Sequence, residues 1–224
     1  VEESPFANRR ESREQLFAFD MMQAKLYAFL NRPDLVFYKY PKSSQSQPAR
    51  YARAIAYFRD PDIERALQEI SSLIEDYPTN PYYQELKGQI LFESGRAAEA
   101  IPFHQRSVDL MSDAPLLRIN LAQSMLATED PSYTQDAITH LRLAIRDEPT
   151  NAFGWHQLAV AYAREDNIGM ANLATAERYF HNRRMPQAQG FARRAQLDLE
   201  KGTPEWQRAA DILHVATLEE KRNR

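Results

Sequence analysis

The stretch Asn80–Asp113, NPYYQELKGQILFESGRAAEAIPFHQRSVDLMSD, decides the fold of this chain. Asn80 and Pro81 are typical of a helix start, because Asn caps the first free amides and Pro has no amide to satisfy. Apolar residues then recur with the period of an amphipathic helix, and Gly95 can adopt the left-handed conformation that ends one. The stretch therefore predicts two antiparallel helices, which cannot bury their shared apolar face unless the pair repeats.

The pair does repeat, because small residues recur in register along the chain. In the second helix of each pair they lie at intervals of 34, 37 and 34 residues, at Ala66, Ala100, Ala137 and Ala171. In the first helix they follow the same rhythm, at Ala54, Gly88, Ala122 and Ala159. A large residue comes three positions after each of these, at Tyr57, Leu91, Met125 and Tyr162. A period of about 34 residues with this pattern is that of the tetratricopeptide repeat.

The repeats predict an all-α, right-handed superhelical solenoid with an additional N-terminal helix. Residues 1–47 are predicted to hold an amphipathic helix from Arg9 to Asn31, a short helix and a loop. Residues 48–182 are predicted to form four helix pairs, and residues 183–224 two capping helices and a basic tail. One departure is Arg53, which occupies a position where this repeat prefers leucine.

Composition narrows the functional classes. The chain has 224 residues, of which 43% are hydrophobic and 26% charged, as is ordinary for a folded protein. The absence of cysteine excludes disulfides, thiol nucleophiles and cysteine-ligated metals. No run of about 18 apolar residues occurs, so we predict no transmembrane segment. Because the chain starts at Val1, we expect a mature protein or a portion of a longer one.

The net charge of −3 is unevenly distributed. Residues 60–148 carry a net charge of −9, whereas residues 178–224 carry +4. An acidic chain of this kind is not expected to bind nucleic acid, which needs a contiguous basic face. The basic end has two interpretations: a solvated helix face, or a patch that docks an acidic partner. The second interpretation assigns the patch to four arginines: Arg183, Arg184, Arg193 and Arg194.

The histidines do not form a predicted catalytic or metal site. The five of them are separated by at least 16 residues, and no H-E-x-x-H motif occurs. His104 lies at a large-residue position of its helix, which predicts a packed core histidine. We therefore expect no catalytic residue, cofactor or metal ion in this chain.

The remaining class is a protein-interaction scaffold, in which the first helix of each pair lines the binding surface. Transferred by register, the predicted groove residues are Glu85, Gln89, Phe92, Ile119, Asn120, Gln123, His156, Val160 and Arg164. We expect Asn120, Gln123 and Arg164 to hydrogen-bond an extended peptide backbone or a terminal carboxylate. The alternative for each is that it only solvates the groove. Whether the N-terminal helix occupies the groove stays open at this point.

Several stretches resemble a known family. They are AKLYAFLNRPDLVFYKYP, PARYARAIAYFRD, NPYYQELKGQILFESGR, DAPLLRINLAQSMLA and EPTNAFGWHQLAVAYAREDNIGMANLATAERYF. They are similar to the C-terminal half of bacterial BepA-like periplasmic zinc metallopeptidases of the alphaproteobacterial type, which carry tetratricopeptide repeats. The resemblance runs from about Arg10 to Leu213.

The resemblance implies a parent protein with an N-terminal zinc protease domain that is exported to the periplasm. It implies that the repeats recruit clients in outer-membrane protein assembly and quality control. The implied partners are proteins or peptides, namely the protease domain itself and assembly clients. The resemblance implies that zinc is bound in that domain, and no zinc ligand can be assigned to this chain, which has no H-E-x-x-H motif. The alternative is a free-standing adaptor in envelope assembly or secretion.

Overall fold

A computed structural model of the protein describes residues 12–222, with side chains up to residue 219. This part of the chain contains twelve α-helices, one 3-10 turn at Pro131–Tyr133 and no strand. The helices are α1 Arg13–Leu30, α2 Pro33–Lys39, α3 Gln47–Arg59, α4 Ile63–Asp76, α5 Pro81–Glu93, α6 Ala97–Leu110, α7 Pro115–Ala127, α8 Thr134–Asp147, α9 Ala152–Arg164, α10 Ile168–His181, α11 Met185–Asp198 and α12 Pro204–Arg222.

Several helix ends lie close to the predicted positions and are capped by local side chains or by a left-handed residue. Asn80 accepts a hydrogen bond from the Tyr82 amide at 3.0 Å. Gly95 has a φ of +77°, the left-handed conformation predicted to follow α5. Within the described residues, α1 begins at Arg13, where Ser12 and Gln15 form a capping box, and the predicted start at Arg9 stays a prediction. Residues 9–11 lie outside the described residues.

The small residues of the repeat lie at the helix crossings, as predicted. Ala54, Ala66, Ala122 and Ala137 are fully buried. Ala159 is also buried, and Ala171 is half-buried. Helices α3 and α4, α7 and α8, and α9 and α10 contact each other as the predicted pairs require. Side chains without bulk let these helix backbones approach closely, which explains why the positions recur.

The chain divides into two compact units, residues 1–90 and 91–224, called unit 1 and unit 2 here. In unit 1, both α1 and α2 pack against α3, and α3 packs against α4. One hydrophobic core joins these helices, and it includes Ala28, Val36, Ile55 and Ile70.

Unit 2 is built by consecutive packing. Each helix from α6 to α12 contacts the next, and α7 also contacts α9 while α10 contacts α12. Two hydrophobic cores result, one around Leu121, Leu141 and Leu158 and one around Leu173 and Ile212. The predicted domain boundaries at residues 47 and 182 stay a prediction, and the last two residues of the predicted basic tail lie outside the described residues.

Candidate functional site

Helix α1 covers the first-helix surface of unit 1. Tyr51 and Ile55 of α3 lie one 34-residue period before the predicted groove residues Glu85 and Gln89. Both are buried in the same core as two alanines of α1. The question left open by the sequence is therefore answered for unit 1: the N-terminal helix occupies the surface on which the register places the groove.

Glu85 faces the chain's own first helix rather than an open groove. The residue is buried, and its Oε2 lies 3.9 Å from the Nζ of Lys25 in α1. Gln89 is half-buried. Because α1 covers Glu85, its carboxylate is not presented to a ligand as the sequence-based prediction supposed.

Directed polar contacts fasten α1 at its C-terminal half. The Arg59 guanidinium donates to the carbonyl oxygen of Ala28 at 2.7 Å and to that of Asn31. The Tyr83 hydroxyl donates to the Gln47 Oε1 at 2.7 Å and contacts a methionine sulfur of α1 at 3.8 Å. Large apolar side chains are exposed along the whole of α1: Leu16, Phe17, Phe19, Met22, Leu26 and Leu30.

In unit 2 the structure separates the predicted groove residues into two groups. Ile119 is wrong as a groove residue, because it is fully buried beneath α9, with its Cδ1 only 3.3 Å from where a Cβ on Gly154 would lie. The second group remains at the surface of the described residues and is half-buried: Phe92, Asn120, Gln123, His156 and Val160.

Arg164 and His156 are engaged within the chain. The Arg164 guanidinium donates to the Leu126 carbonyl oxygen at the C-terminal end of α7. The Nδ1 of His156 lies 3.1 Å from the Nη1 of Arg178. Burial lowers the pKa of His156, and the neighbouring Arg178 guanidinium lowers it further. The imidazole is therefore neutral near pH 7, and its Nδ1 accepts from Arg178. Both side chains are therefore already hydrogen-bonded within the chain and are not free to bind a ligand.

Two apolar residues that the sequence reasoning missed extend this surface. Leu116 on α7 is 57% exposed, and Phe153 on α9 is 46% exposed. They are 37 residues apart, the same interval as between Ala122 and Ala159, so the repeat register could have identified them. We call the surface formed by Leu116, Asn120, Gln123, Phe153 and Val160 the α7–α9 surface.

Arg193 extends the same register to α11. Ala192 is fully buried, like Ala122 and Ala159 of the preceding first helices. Arg193 follows Ala192 directly, as Gln123 follows Ala122 and Val160 follows Ala159. The sequence assigned Arg193 only to a basic patch, whereas its position equals that of predicted groove residues.

The predicted basic patch consists of two separate pairs of arginines. Arg183, Arg184, Arg193 and Arg194 are all exposed. Arg184 is the N-cap of α11, and Arg193 lies nine residues further along that helix, about 13 Å at 1.5 Å per residue. The Arg194 guanidinium lies over the Phe191 ring at 4.9 Å. The pairs therefore offer two charged points along α11 rather than one cluster.

Other titratable groups serve the core. His104 is buried, and its Nδ1 lies 2.8 Å from the Ser124 Oγ, which confirms a packed core histidine. Within residues 12–222, no three His, Asp or Glu side chains come close enough together to hold a metal ion. In the same range no helix has the length and apolar character to cross a membrane.

Solved structures establish the class of protein. The fold is similar to that of MamA, with a TM-score of 0.57 and 17% identity over 76% of this chain and 95% of MamA. It is also similar to YrrB, a tetratricopeptide-repeat protein, with a TM-score of 0.61 and 18% identity over 75% of this chain and 88% of YrrB. The predicted fold class, an all-α tetratricopeptide-repeat solenoid, is confirmed.

Curated relatives confirm the more specific resemblance. The chain is 26% identical over 159 residues to the β-barrel assembly-enhancing protease of Escherichia coli, and 24% identical over 157 residues to that of Yersinia pestis. These matches cover 71% and 70% of this chain but only 32% of each relative, so the chain spans about a third of their length. No family model matches the sequence.

Proposed function

We propose that this chain is the substrate-recruiting and regulatory part of a periplasmic zinc metalloendopeptidase that acts in outer-membrane protein quality control. The observation that carries the proposal is the similarity to the β-barrel assembly-enhancing proteases, which extends over 71% of the chain. Binding is then the task of these repeats. Catalysis, and the zinc it requires, belong to a protease domain outside this sequence.

The α7–α9 surface supports a binding role for extended segments. Leu116 and Phe153 present apolar area, and Gln123 presents an amide that makes no hydrogen bond within the described residues. An exposed β-strand of an unfolded barrel protein alternates apolar side chains with backbone hydrogen-bonding groups. It therefore carries both kinds of group that this surface can bind. YrrB, whose fold is similar, is described as having a peptide-binding site.

The test is peptide binding to this chain. Fluorescein-labelled synthetic peptides covering the strands of an outer-membrane β-barrel protein would be titrated by fluorescence anisotropy. We expect a Leu116→Ser/Phe153→Ser variant to bind at least about tenfold more weakly, because exposed apolar anchors dominate such interfaces. Leu197→Ser is the matched control, since Leu197 is 81% exposed and lies on α11. Equal affinity of both variants for the peptides would contradict the proposal.

The same substitutions in the parent protein test the link to proteolysis. Turnover of an unfolded β-barrel substrate should slow with Leu116→Ser/Phe153→Ser and stay unchanged with Leu197→Ser. The alternative function, a free-standing adaptor in envelope assembly or secretion, is favoured by the 95% coverage of MamA, since it fits a protein made largely of such repeats. A signal peptide and an H-E-x-x-H motif upstream of Val1 in the open reading frame would decide against the adaptor.

The exposed arginines are proposed contacts to the protease domain. Charge reversal at Arg183, Arg184, Arg193 and Arg194 should weaken binding of a separately prepared protease domain, and more strongly at low salt. Arg106→Glu is the control, because Arg106 is exposed on α6 and forms no ion pair within the described residues. Unchanged affinity after charge reversal at all four arginines would indicate that the basic end is only a solvated helix face.

A further inference from the structure

A pocket opens in unit 1 where α1 meets α3 and the beginning of α5. Its volume is about 450 Å³, within the range of pockets that bury a small ligand. The walls are largely apolar, and the polar groups of Lys25, Asn80 and Tyr82 lie among them. The lining residues are Phe17, Ala18, Met21, Met22, Lys25, Tyr51, Asn80 and Tyr82.

Tyr51 is one of the lining residues, and its hydroxyl is fully buried rather than exposed to the pocket. The residue is 2% exposed, and its hydroxyl has no hydrogen-bond partner in the described part of the chain. A buried hydroxyl without a partner costs free energy, and such groups in native proteins call for an explanation. Burial raises the pKa of Tyr51 well above its usual value, and the nearby Glu85 carboxylate raises it further. The hydroxyl therefore stays protonated, and it is a hydrogen-bond donor without an acceptor.

We propose that this pocket binds a peptide segment that inserts one large apolar side chain and offers a backbone carbonyl oxygen to the Tyr51 hydroxyl. The inference rests on the proposed protein-binding function and adds a second peptide subsite to it, separate from the α7–α9 surface. Its walls come from α1 as well as from the repeats, so the N-terminal helix that covers the groove of unit 1 also forms part of a binding site.

The chemistry of the pocket favours a peptide over other apolar ligands. A hydrocarbon chain could fill the apolar volume, but it offers no acceptor to Tyr51. A peptide supplies an acceptor next to every side chain, and it also has donors and acceptors for the Asn80 amide. Met21 and Met22 are unbranched and flexible, so their side chains can move to uncover the Tyr51 hydroxyl. The same movement lets the pocket accept apolar groups of different shapes.

The methionines also report on binding. The chain contains six of them, and Met21 and Met22 line this pocket. The full chain, labelled with ¹³C at the methionine methyl groups, would be titrated with N-acetyl-phenylalanine N-methylamide and with the matched alanine amide. We expect a saturable shift of the Met21 and Met22 signals with the phenylalanine amide and none with the alanine amide.

The Tyr51→Phe variant tests the hydrogen bond. It keeps the ring and removes a hydroxyl that has no partner, so the thermal midpoint should not fall. Affinity for the phenylalanine amide should fall about fivefold, as for the loss of one hydrogen bond. Met22→Ala, at an exposed position of the rim, should also weaken binding. Unchanged affinity in Tyr51→Phe, or toluene binding as tightly as the phenylalanine amide, would overturn the proposal.

The experiment separates this inference from the proposed function. If strand peptides raise the anisotropy while neither the peptides nor the amides shift Met21 and Met22, the pocket proposal fails and peptide binding stands. If strand peptides shift no methionine signal and give no anisotropy change, the proposed function fails as well.

Discussion

At the scale of single residues, the contacts of Arg53 explain why an arginine occupies a leucine position of the repeat. It is 1% exposed at a leucine position. Its guanidinium donates to Glu69 Oε1 at 2.7 Å, and to the carbonyl oxygens of Pro41 and Ser44 at 3.0 and 2.7 Å. Because the buried charge is paired and hydrogen-bonded, it can replace an apolar side chain. It also fixes the loop that leads into α3.

Removing this side chain should be strongly destabilising. Arg53→Ala leaves Glu69 and two carbonyl oxygens without their donor, so we expect a loss of about 3 kcal/mol in the free energy of unfolding. Urea unfolding followed by far-UV circular dichroism would measure it. The control is Arg65→Ala, because Arg65 forms a mostly exposed pair with Asp62 and should cost less than about 1 kcal/mol. Similar losses in the two variants would contradict this account.

Two histidines should make stability depend on pH. Burial lowers the pKa of both His140 and His156, and the neighbouring Arg118 and Arg178 lower these pKa values further. Asp136 and Asp109 partly oppose the shift of His140. The unfolded chain therefore binds more protons than the folded chain just below pH 6.5. The stability contributed by the neutral imidazoles is present above about pH 6.5 and is lost as the pH falls from there through the folded pKa.

The measurement is the thermal midpoint between pH 7.5 and pH 5.5. The decrease should be smaller in a His140→Gln/His156→Gln variant than in the unsubstituted chain, because glutamine does not titrate. An identical pH dependence in the double variant would show that other groups cause it.

At the scale of helices, two glycines should respond in opposite directions to the same substitution. A Cβ on Gly169 of α10 would lie 2.9 Å from the Leu199 Cδ2 and 3.3 Å from the Asp198 backbone carbon. A Cβ on Gly190 of α11 would meet nothing within 4 Å. The first position is closed by a neighbouring segment of chain, and the second is open.

We therefore expect Gly169→Ala to lower the free energy of unfolding by about 1–3 kcal/mol through overpacking. Gly190→Ala should raise it by about 0.5–1 kcal/mol, because alanine loses less backbone entropy in a helix interior. Each variant is the control for the other in a urea titration. If both substitutions raise the free energy of unfolding, the Leu199 side chain moves away from the added methyl group without destabilising the fold.

Helix α1 shows how far periodicity predicts packing. The sequence predicts an amphipathic helix here, whose apolar stripe consists of Leu16, Phe17, Met21, Ala24, Leu26 or Met22, Ala28 and Phe29. The structure buries only the two alanines completely and leaves several larger members exposed. Close approach to α3 selects small side chains at the crossing, and no hydropathy pattern distinguishes that crossing from the rest of the stripe.

At the scale of the molecule, each unit has a hydrophobic core of its own. Both tryptophans, Trp155 and Trp206, lie in unit 2. The stability of repeat arrays is roughly a sum over repeats and neighbouring contacts, so damage in one unit need not unfold the other. Arg53→Ala should therefore shift the urea midpoint measured by circular dichroism more than the midpoint measured by tryptophan fluorescence. Equal shifts would mean that the two units unfold as one.

The amino-acid sequence by itself determined the class of fold and the helix positions. Caps such as Asn80, the left-handed Gly95 and the apolar period act over about four residues, so they can be recognised without a structure. The buried small residues were also predictable, because the 34-residue register repeats their environment in every pair.

Only the tertiary structure decided which surface residues remain available. The repeat register assigns Ile119 and Arg164 to the groove, yet α9 buries the first and a carbonyl oxygen of α7 accepts a hydrogen bond from the second. Leu116 and Phe153 are exposed at equivalent positions of α7 and α9. In unit 1, α1 covers the groove positions. These outcomes depend on which helix packs over a given face, and that choice joins residues distant in sequence. The sequence of Asn80–Asp113 predicts its own two helices, but it does not predict which other helix packs against them.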